Sequence, residues 1–457
     1  MEALLDATFL ARIQFAATCI FHYMFVPLSV GFGMVLAILF TKAYRSKDPK
    51  DESLAKFWLK LFTGTFAVGV ASGITMEFQF GTNWADYARF VGDIFGAPLA
   101  AEALLAFFLE SVFLGVLLFG AKKVSPKFYL ASAWLVWLGS CLSALWIIIA
   151  NSWMQTPAGY EVVATAAGTK AVLTDFFAAA LNYTTLPRYF HTIVALLLMG
   201  ALVAIAIGAY YKLKKRDVHA GDSLLRIGLV TGVVLAVVML PAAHAQAVAV
   251  CENQPSKLAA MEGQWEDGPS DLSLFGWVDD ENGVTYSLGI PGGTSFLATF
   301  DFSAEYQGLN SIPDEDQPDS INLIFQTYHL MVICYGLIWL VLLLGFLVYR
   351  GKLDTKKWAL KFLQFGWLWP ILAIQVGWMT AEFGRQPWIV WGELRTVDAA
   401  SAAVDPVSLI ITLALFAVVY TTIYVIWAKS LLKDVKKGPE ALAPVADDKN
   451  EEEEVRA

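Results

Sequence analysis

Apolar residues in this chain do not alternate with polar ones; they come in long blocks separated by short polar clusters. Nine blocks run at roughly 13–41, 54–78, 96–120, 129–152, 189–211, 224–248, 322–349, 358–380 and 406–428. Each reaches the ~20 residues that a helix needs to cross ~30 Å of hydrocarbon. They lack the short alternating segments of a transmembrane barrel, so helices are predicted throughout. The expected fold class is an all-α integral membrane protein with nine transmembrane helices. Composition agrees: 57% of the 457 residues are hydrophobic and 16% are charged, with a mean hydropathy of +0.56. A soluble domain carries about 25% charged residues.

Basic residues orient the bundle. Lys42, Arg45, Lys47 and Lys50 follow the first block, and Lys122, Lys123 and Lys127 the third. Lys212, Lys214, Lys215 and Arg216 follow the fifth, Arg350, Lys352, Lys356 and Lys357 the seventh, and Lys429, Lys433, Lys436 and Lys437 the ninth. The alternate connections are nearly free of bases, which predicts an outside N-terminus and a cytoplasmic C-terminus. Residues 1–12 carry Glu2 and Asp6 and no basic n-region, so the first block is expected to be retained. Cys19, Cys141 and Cys334 fall in blocks and Cys251 in an outside segment, which excludes an extensive disulfide scaffold.

The organisation predicted is six helices in 1–248, one long extracytoplasmic loop at 249–321, three helices in 322–430, and a tail at 431–457. The loop holds 14 acidic residues and a single base, Lys257. Its acidity argues against nucleic acid or anionic headgroups as partners. A second outside segment, 153–187, is expected along the membrane surface. The tail ends DDKNEEEEVRA and reads as solvated and disordered.

Ionisable groups inside a membrane are costly and mark function. His22 (IFHYMFVPL), His191 (RYFHTIVALLL), Met331 (QTYHLMVICYG), Glu382 (AEFGRQPW) and Glu102 (AAEALLAFFLES) all count to the outer leaflet at ~1.5 Å per residue. His and Met are neutral ligands for a low-spin haem, and His or carboxylate serve high-spin haems. Each residue alone has a plain packing explanation; their shared depth favours haem. Glu102 and Glu110 are eight residues apart, about 80° of ideal helix rotation, with Glu110 deeper. Without basic neighbours they suit a proton relay. On residues alone, a haem protein and a proton- or substrate-binding transporter or channel weigh equally; haem colour would separate them.

The stretches RIQFAATCIFHYMFVPLS, MEFQFGTNWADYARFVGDIFGAPLAAEALLAFFLES, ANSWMQTP, QPSKLAAMEGQWE and AEFGRQPW resemble subunit I of cytochrome bd quinol oxidase, end to end. The resemblance implies that His191 and Met331 are the axial pair of a low-spin haem b. It implies that His22 and Glu382 are axial ligands of two high-spin haems, one b and one d. A branch of the family has haem b in place of haem d, and the residues leave both open. Glu102 matches the acid beside the oxygen-reducing haem, and Glu110 a proton-path carboxylate, with proton entry expected near Lys60. The long loop matches a quinol-binding loop of the short type, with Lys257 and Glu262 at its quinol positions. Arg385 is expected to pair with a propionate or carboxylate, and Trp378 to pack on a haem face. Where some relatives carry Arg, this chain has His329, which puts propionate pairing there in doubt and suggests a pH-sensitive haem potential.

The implied activity is oxidation of membrane quinol at the outer face and reduction of O2 to water with cytoplasmic protons, electrogenic without a pump. The implied partners are a second large membrane subunit and often a small single-helix one. A b-type electron carrier without oxygen chemistry is the nearer alternative, distinguished by its lack of quinol-driven oxygen uptake.

Overall fold

The computed structural model describes residues 6–439 apart from Ala167. Among these, nine helical segments are long and apolar enough to cross a membrane. α1 (Ala7–His22) and α2 (Val26–Ser46) form the first, and α3 (Pro49–Thr82) the second. α4 (Ala85–Ala101), a π-helical turn at Glu102–Phe107 and α5 (Phe108–Phe119) form the third; α6 (Pro126–Gln155) is the fourth. A hairpin of strands Tyr160–Thr165 and Gly168–Leu173, then α7 (Phe176–Ala180), lead to α8 (Thr185–Lys214) and α9 (Val218–Asn253). α10 (Pro255–Glu262), a hairpin of strands Leu272–Asp279 and Val284–Ile290, and α11 (Gly293–Thr299) precede α12 (Ile321–Tyr349). α13 (Lys357–Gln364) with α14 (Leu368–Phe383) make the eighth crossing, and α15 (Pro406–Lys437) the ninth.

Local chemistry explains where these helices start. Asp48-Pro49, Ser125-Pro126 and Asp405-Pro406 each pair a side-chain N-cap with a proline at the first helical position. The first crossing is not continuous. Pro27 has no N–H to return to the preceding turn, and the chain tightens there, with Phe25 N–H donating to His22 O at 2.9 Å. The break falls immediately after His22.

One expected boundary changes, and the segments between crossings gain detail. The ninth helix runs to Lys437 rather than ending near 428, because Lys436 and Lys437 suit the negative end of the helix dipole. The acidic stretch of the predicted tail lies from residue 440 onward, outside the described residues. Segment 153–187 and loop 249–321 each fold, rather than only connect. In the longer one, Phe275–Leu288 and Trp277–Tyr286 pair across an antiparallel hairpin closed at Gly283, whose φ is 63°.

The crossings share two ends. At one, Lys60 pairs with Asp434 at 2.7 Å and Lys42 with Asp51 at 2.6 Å, and Tyr211 OH donates to Val435 O. At the other, Arg12 meets Asp319, Arg395 meets Asp316, and Trp391 N–H donates to Met154 O. We call these the basic end and the loop end.

α2, α3, α8 and α9 form the tight centre. α2 and α8 touch backbone to backbone: a Cβ on Gly200 would lie 2.1 Å from Gly31 O. In a membrane, small residues give helices their packing contact. Gly200→Ala should therefore cost about 3 kcal/mol or more, at the severe end of overpacking. Gly64→Ala, with no atom within 4 Å of its added Cβ, should leave thermal stability in detergent unchanged. Equal stability of the two variants would contradict this packing.

Candidate functional site

The last turn of α14 brings Glu382 to the loop end, and the chain around it supplies the partners a half-buried carboxylate needs. Arg385, one turn on, donates to Glu382 Oε2 and to Ile389 O. From α6, Asn151 Nδ2 donates to Glu382 Oε1 at 2.9 Å and Gln155 Nε2 to the same oxygen at 3.4 Å. The other end of the Gln155 amide faces α10. Its Oε1 accepts from Lys257 Nζ at 2.5 Å and from Gln254 Nε2 at 2.7 Å, while Lys257 also donates to Gln254 Oε1 at 2.8 Å. One buried amide thus joins Lys257 to Glu382.

This knot carries more positive than negative charge. Lys257 is 2% exposed, and Arg188 and Arg385 are buried beside the same carboxylate. Burial first, and then the Arg188 guanidinium, hold Lys257 well below the usual lysine range, with Glu382 pulling the other way. Among the described residues, the Nε atoms of Arg188 and Arg385 have no hydrogen-bond partner. Buried guanidinium donors left open call for an anion.

Neutral donors stand on the neighbouring helices. His191, three residues after Arg188 on α8, has a buried Nδ1 without a partner among the described residues. His22 Nδ1 lies 3.0 Å from Ser72 Oγ, and its ring edge fits against Gly73, where a Cβ would come within 3.0 Å. Met331 Sδ fits against Gly377, where a Cβ would come within 2.8 Å. Trp378 packs edge-on to Tyr23 at 5.3 Å, so α14 backs both the His22 and the Met331 positions. His329 bonds within its own helix: Nδ1 lies 2.7 Å from Phe325 O, which can only accept, so Nδ1 carries the proton.

Glu102 and Glu110 both reach α6. Ser143 Oγ donates to Glu102 at 2.9 Å, and Glu110 packs on Gly139. The 80° offset expected for an ideal helix does not apply, because the π-helical turn begins at Glu102 and shifts the phase. Lys60 is not brought to them. It is exposed and paired with Asp434 beside a cavity of about 280 Å³ lined by α3 and α15 alone. Glu262, at the end of α10, is buried under the loop hairpin, accepting from Thr294 Oγ1 at 3.0 Å and Ser273 N–H at 3.4 Å. Burial pushes its carboxyl up to about 7 against those two hydrogen bonds.

A family model described as cytochrome bd terminal oxidase subunit I matches residues 10–439. The chain belongs to the cytochrome bd terminal oxidase subunit I family. It is 36% identical over 444 residues to the cytochrome bd ubiquinol oxidase subunit 1 of Bacillus subtilis (strain 168), covering 94% of each chain. It is 33% identical to the cytochrome bd-II ubiquinol oxidase subunit 1 of Escherichia coli (strain K12), covering 96% of this chain and 98% of that one. The structure of bd oxidase from Geobacillus thermodenitrificans superposes with a TM-score of 0.86 at 28% identity, over 95% of this chain and 99% of that one. The chain is therefore a multi-pass protein of the bacterial inner membrane and one subunit of a larger oxidase. Its family implies haem cofactors and a second subunit.

The residues fit haem. An imidazole nitrogen of His191 left open among the described residues, a thioether in a glycine-walled slot and unspent guanidinium donors suit an iron porphyrin with anionic propionates. Four residues of this site escaped the sequence reading: Asn151, Gln155, Arg188 and Gln254. All lie in or beside stretches already singled out, ANSWMQTP, RYFH and QPSK. As uncharged amides near span ends, or as a base at a boundary, they gave no depth signal.

Glu262 makes a pH-dependent prediction. Its folded pKa of about 7 lies above the ordinary 4.5, so the folded state binds the proton more tightly, and stability falls as pH rises through that window. Glu262→Gln keeps the neutral shape. Its stability relative to the parent should rise by about 2–3 kcal/mol between pH 5 and pH 8, measured by denaturation in detergent. A difference independent of pH would contradict the buried setting.

Proposed function

We propose that this chain is the haem-bearing subunit of a quinol:oxygen oxidoreductase, with low-spin haem b, a high-spin haem b and a haem d or third haem b at the loop end. The observation that supports it most is the Glu382 carboxylate held beside the buried Arg385 and Arg188, with an imidazole nitrogen of His191 left open, among the described residues, one turn along α8 from Arg188, in a chain matched over 10–439 by an oxidase subunit family. His191 and Met331 would hold the low-spin haem, His22 and Glu382 would each hold a high-spin one, and Arg188 and Arg385 would pair with their propionates. Haem iron, when bound, carries single electrons and provides the place where oxygen is reduced.

The chain's own residues handle binding and protons. Lys257 and Glu262 bind quinol beneath the folded loop, and Glu262, titrating near neutrality, takes one of its protons. Five basic connections set the basic end in the cytoplasm, so those protons leave on the outside. Glu110 and then Glu102, aligned on α6, hold protons that come from the other side for water formation. Uptake on one side and release on the other moves charge without a pump. The relatives' names, ubiquinol oxidase subunit 1, fit this reading. The second large subunit has room on the apolar flanks left uncovered on α5 and α15, at Phe108, Phe119, Ile411 and Val418.

In the purified complex, His191→Ala and Met331→Ala should each remove the low-spin component of the reduced-minus-oxidised spectrum and lower quinol-driven oxygen uptake at least tenfold. The high-spin components should remain. A low-spin component that survives in both variants would sink the axial assignment.

A further inference from the structure

The loop between α9 and α12 turns a face of large apolar side chains away from the protein. Phe275 sits across from Leu288 and Trp277 across from Tyr286, and these four side chains are 64%, 70%, 60% and 65% exposed. Phe300, beyond α11, is 76% exposed. The opposite face of the hairpin is pressed on α12. A Cβ on Gly276 would lie 2.9 Å from Phe325 Cζ; Gln326 Nε2 donates to Gly276 O at 2.9 Å, and Val278 N–H donates to Asn322 Oδ1 at 3.2 Å. The hairpin therefore lies against the side of a membrane-crossing helix, and its apolar face points sideways instead of up into water.

Depth can be counted along both flanking helices. Gln326 is 24 residues from Arg350, which closes α12 at the basic end; that is about 36 Å of rise. With ~30 Å of hydrocarbon, the hairpin lies in the headgroup region. On α9, His244 is 18 residues from the exposed Arg226, or about 27 Å, at the edge of the hydrocarbon. The Phe300 ring is 6.3 Å from the His244 ring. The two counts put the exposed face between the edge of the hydrocarbon and the headgroups, above the exposed Val237 and Leu240 of α9.

We propose that this loop face is immersed in the loop-end interface of the bilayer, with Phe275, Trp277, Tyr286, Leu288 and Phe300 seated against lipid at the boundary between headgroups and acyl chains. Its occupant is lipid because Trp, Tyr and Phe are the side chains that this boundary selects. A cluster of exposed aromatics this dense is rare on a surface that faces water. The contact is apolar, since the only base in residues 249–321 is the buried Lys257. The proposal needs only that the chain crosses a membrane and stands apart from the redox reading. One consequence does rest on that reading: Ser273 of the same hairpin caps Glu262, so a membrane quinol would reach its site sideways, from lipid.

Spin labels test this in the assembled complex. Nitroxides are placed at Trp277→Cys, Leu288→Cys and Phe300→Cys in turn, with Cys251→Ser throughout and Asp314→Cys as an exposed reference. In phosphatidylcholine nanodiscs, the three sites should collide with molecular oxygen severalfold more than with a neutral nickel chelate. The reference should show the reverse, and added anionic lipid should change neither. Nickel access equal to the reference would overturn the proposal by placing the face in water. Immobilised labels shielded from both reagents would overturn it by placing a protein there.

Discussion

The site depends on how the Glu382 carboxylate is held. It sits where a helix ends in low dielectric, and it is tolerated because Arg385, Asn151 and Gln155 all donate to it. That requirement draws together α14, α6 and, through the far end of the Gln155 amide, Lys257 on α10. Arg188 on α8 adds a further cation. Four elements far apart in sequence are thus fastened at one level, and the same level carries His191. In the proposed reading, the anionic groups of haem would offset the cost of burying so much positive charge.

The membrane anatomy follows from the same physics at larger scale. Helices cross because backbone groups must be satisfied internally in lipid, and their centre tightens where Gly31 and Gly200 let α2 and α8 touch. Polar groups that lipid rejects gather at the ends. The basic end holds ordinary ion pairs such as Lys60–Asp434. The loop end holds a half-buried carboxylate, orphan guanidinium nitrogens and a lid that folds back over Glu262. Chemistry collects where the structure carries its least satisfied groups.

Much of this is legible in the amino-acid sequence. Nine crossings could be read because an apolar block of about 20 residues has few other uses. A common level for His22, His191, Met331, Glu382 and Glu102 is what counting predicts, since helical rise is constant. Phase could not be read: the π-helical turn from Glu102 to Phe107 changes which way the two acids point, and nothing in EALLAF announces it. The break after His22 had a visible cause in Pro27, yet hydropathy averages across it. Asn151, Gln155 and Gln254 went unseen because an amide becomes significant only through what it bridges. The loop hairpin was hidden by composition, since acidic residues and glycines masked the alternation in LSLFGWVD and VTYSLGI.

The reading of Glu382 as an iron ligand within a hydrogen-bonded knot is the point on which the functional account turns. Its most direct test is the haem content and reduced-minus-oxidised spectrum of the purified complex carrying Glu382→Gln, beside the parent. The substitution preserves size and keeps one accepting oxygen for its neighbours while removing the anionic donor. The result expected is an assembled complex that keeps its low-spin component and loses one high-spin haem. A variant that retains every haem with unchanged spectra would contradict the assignment.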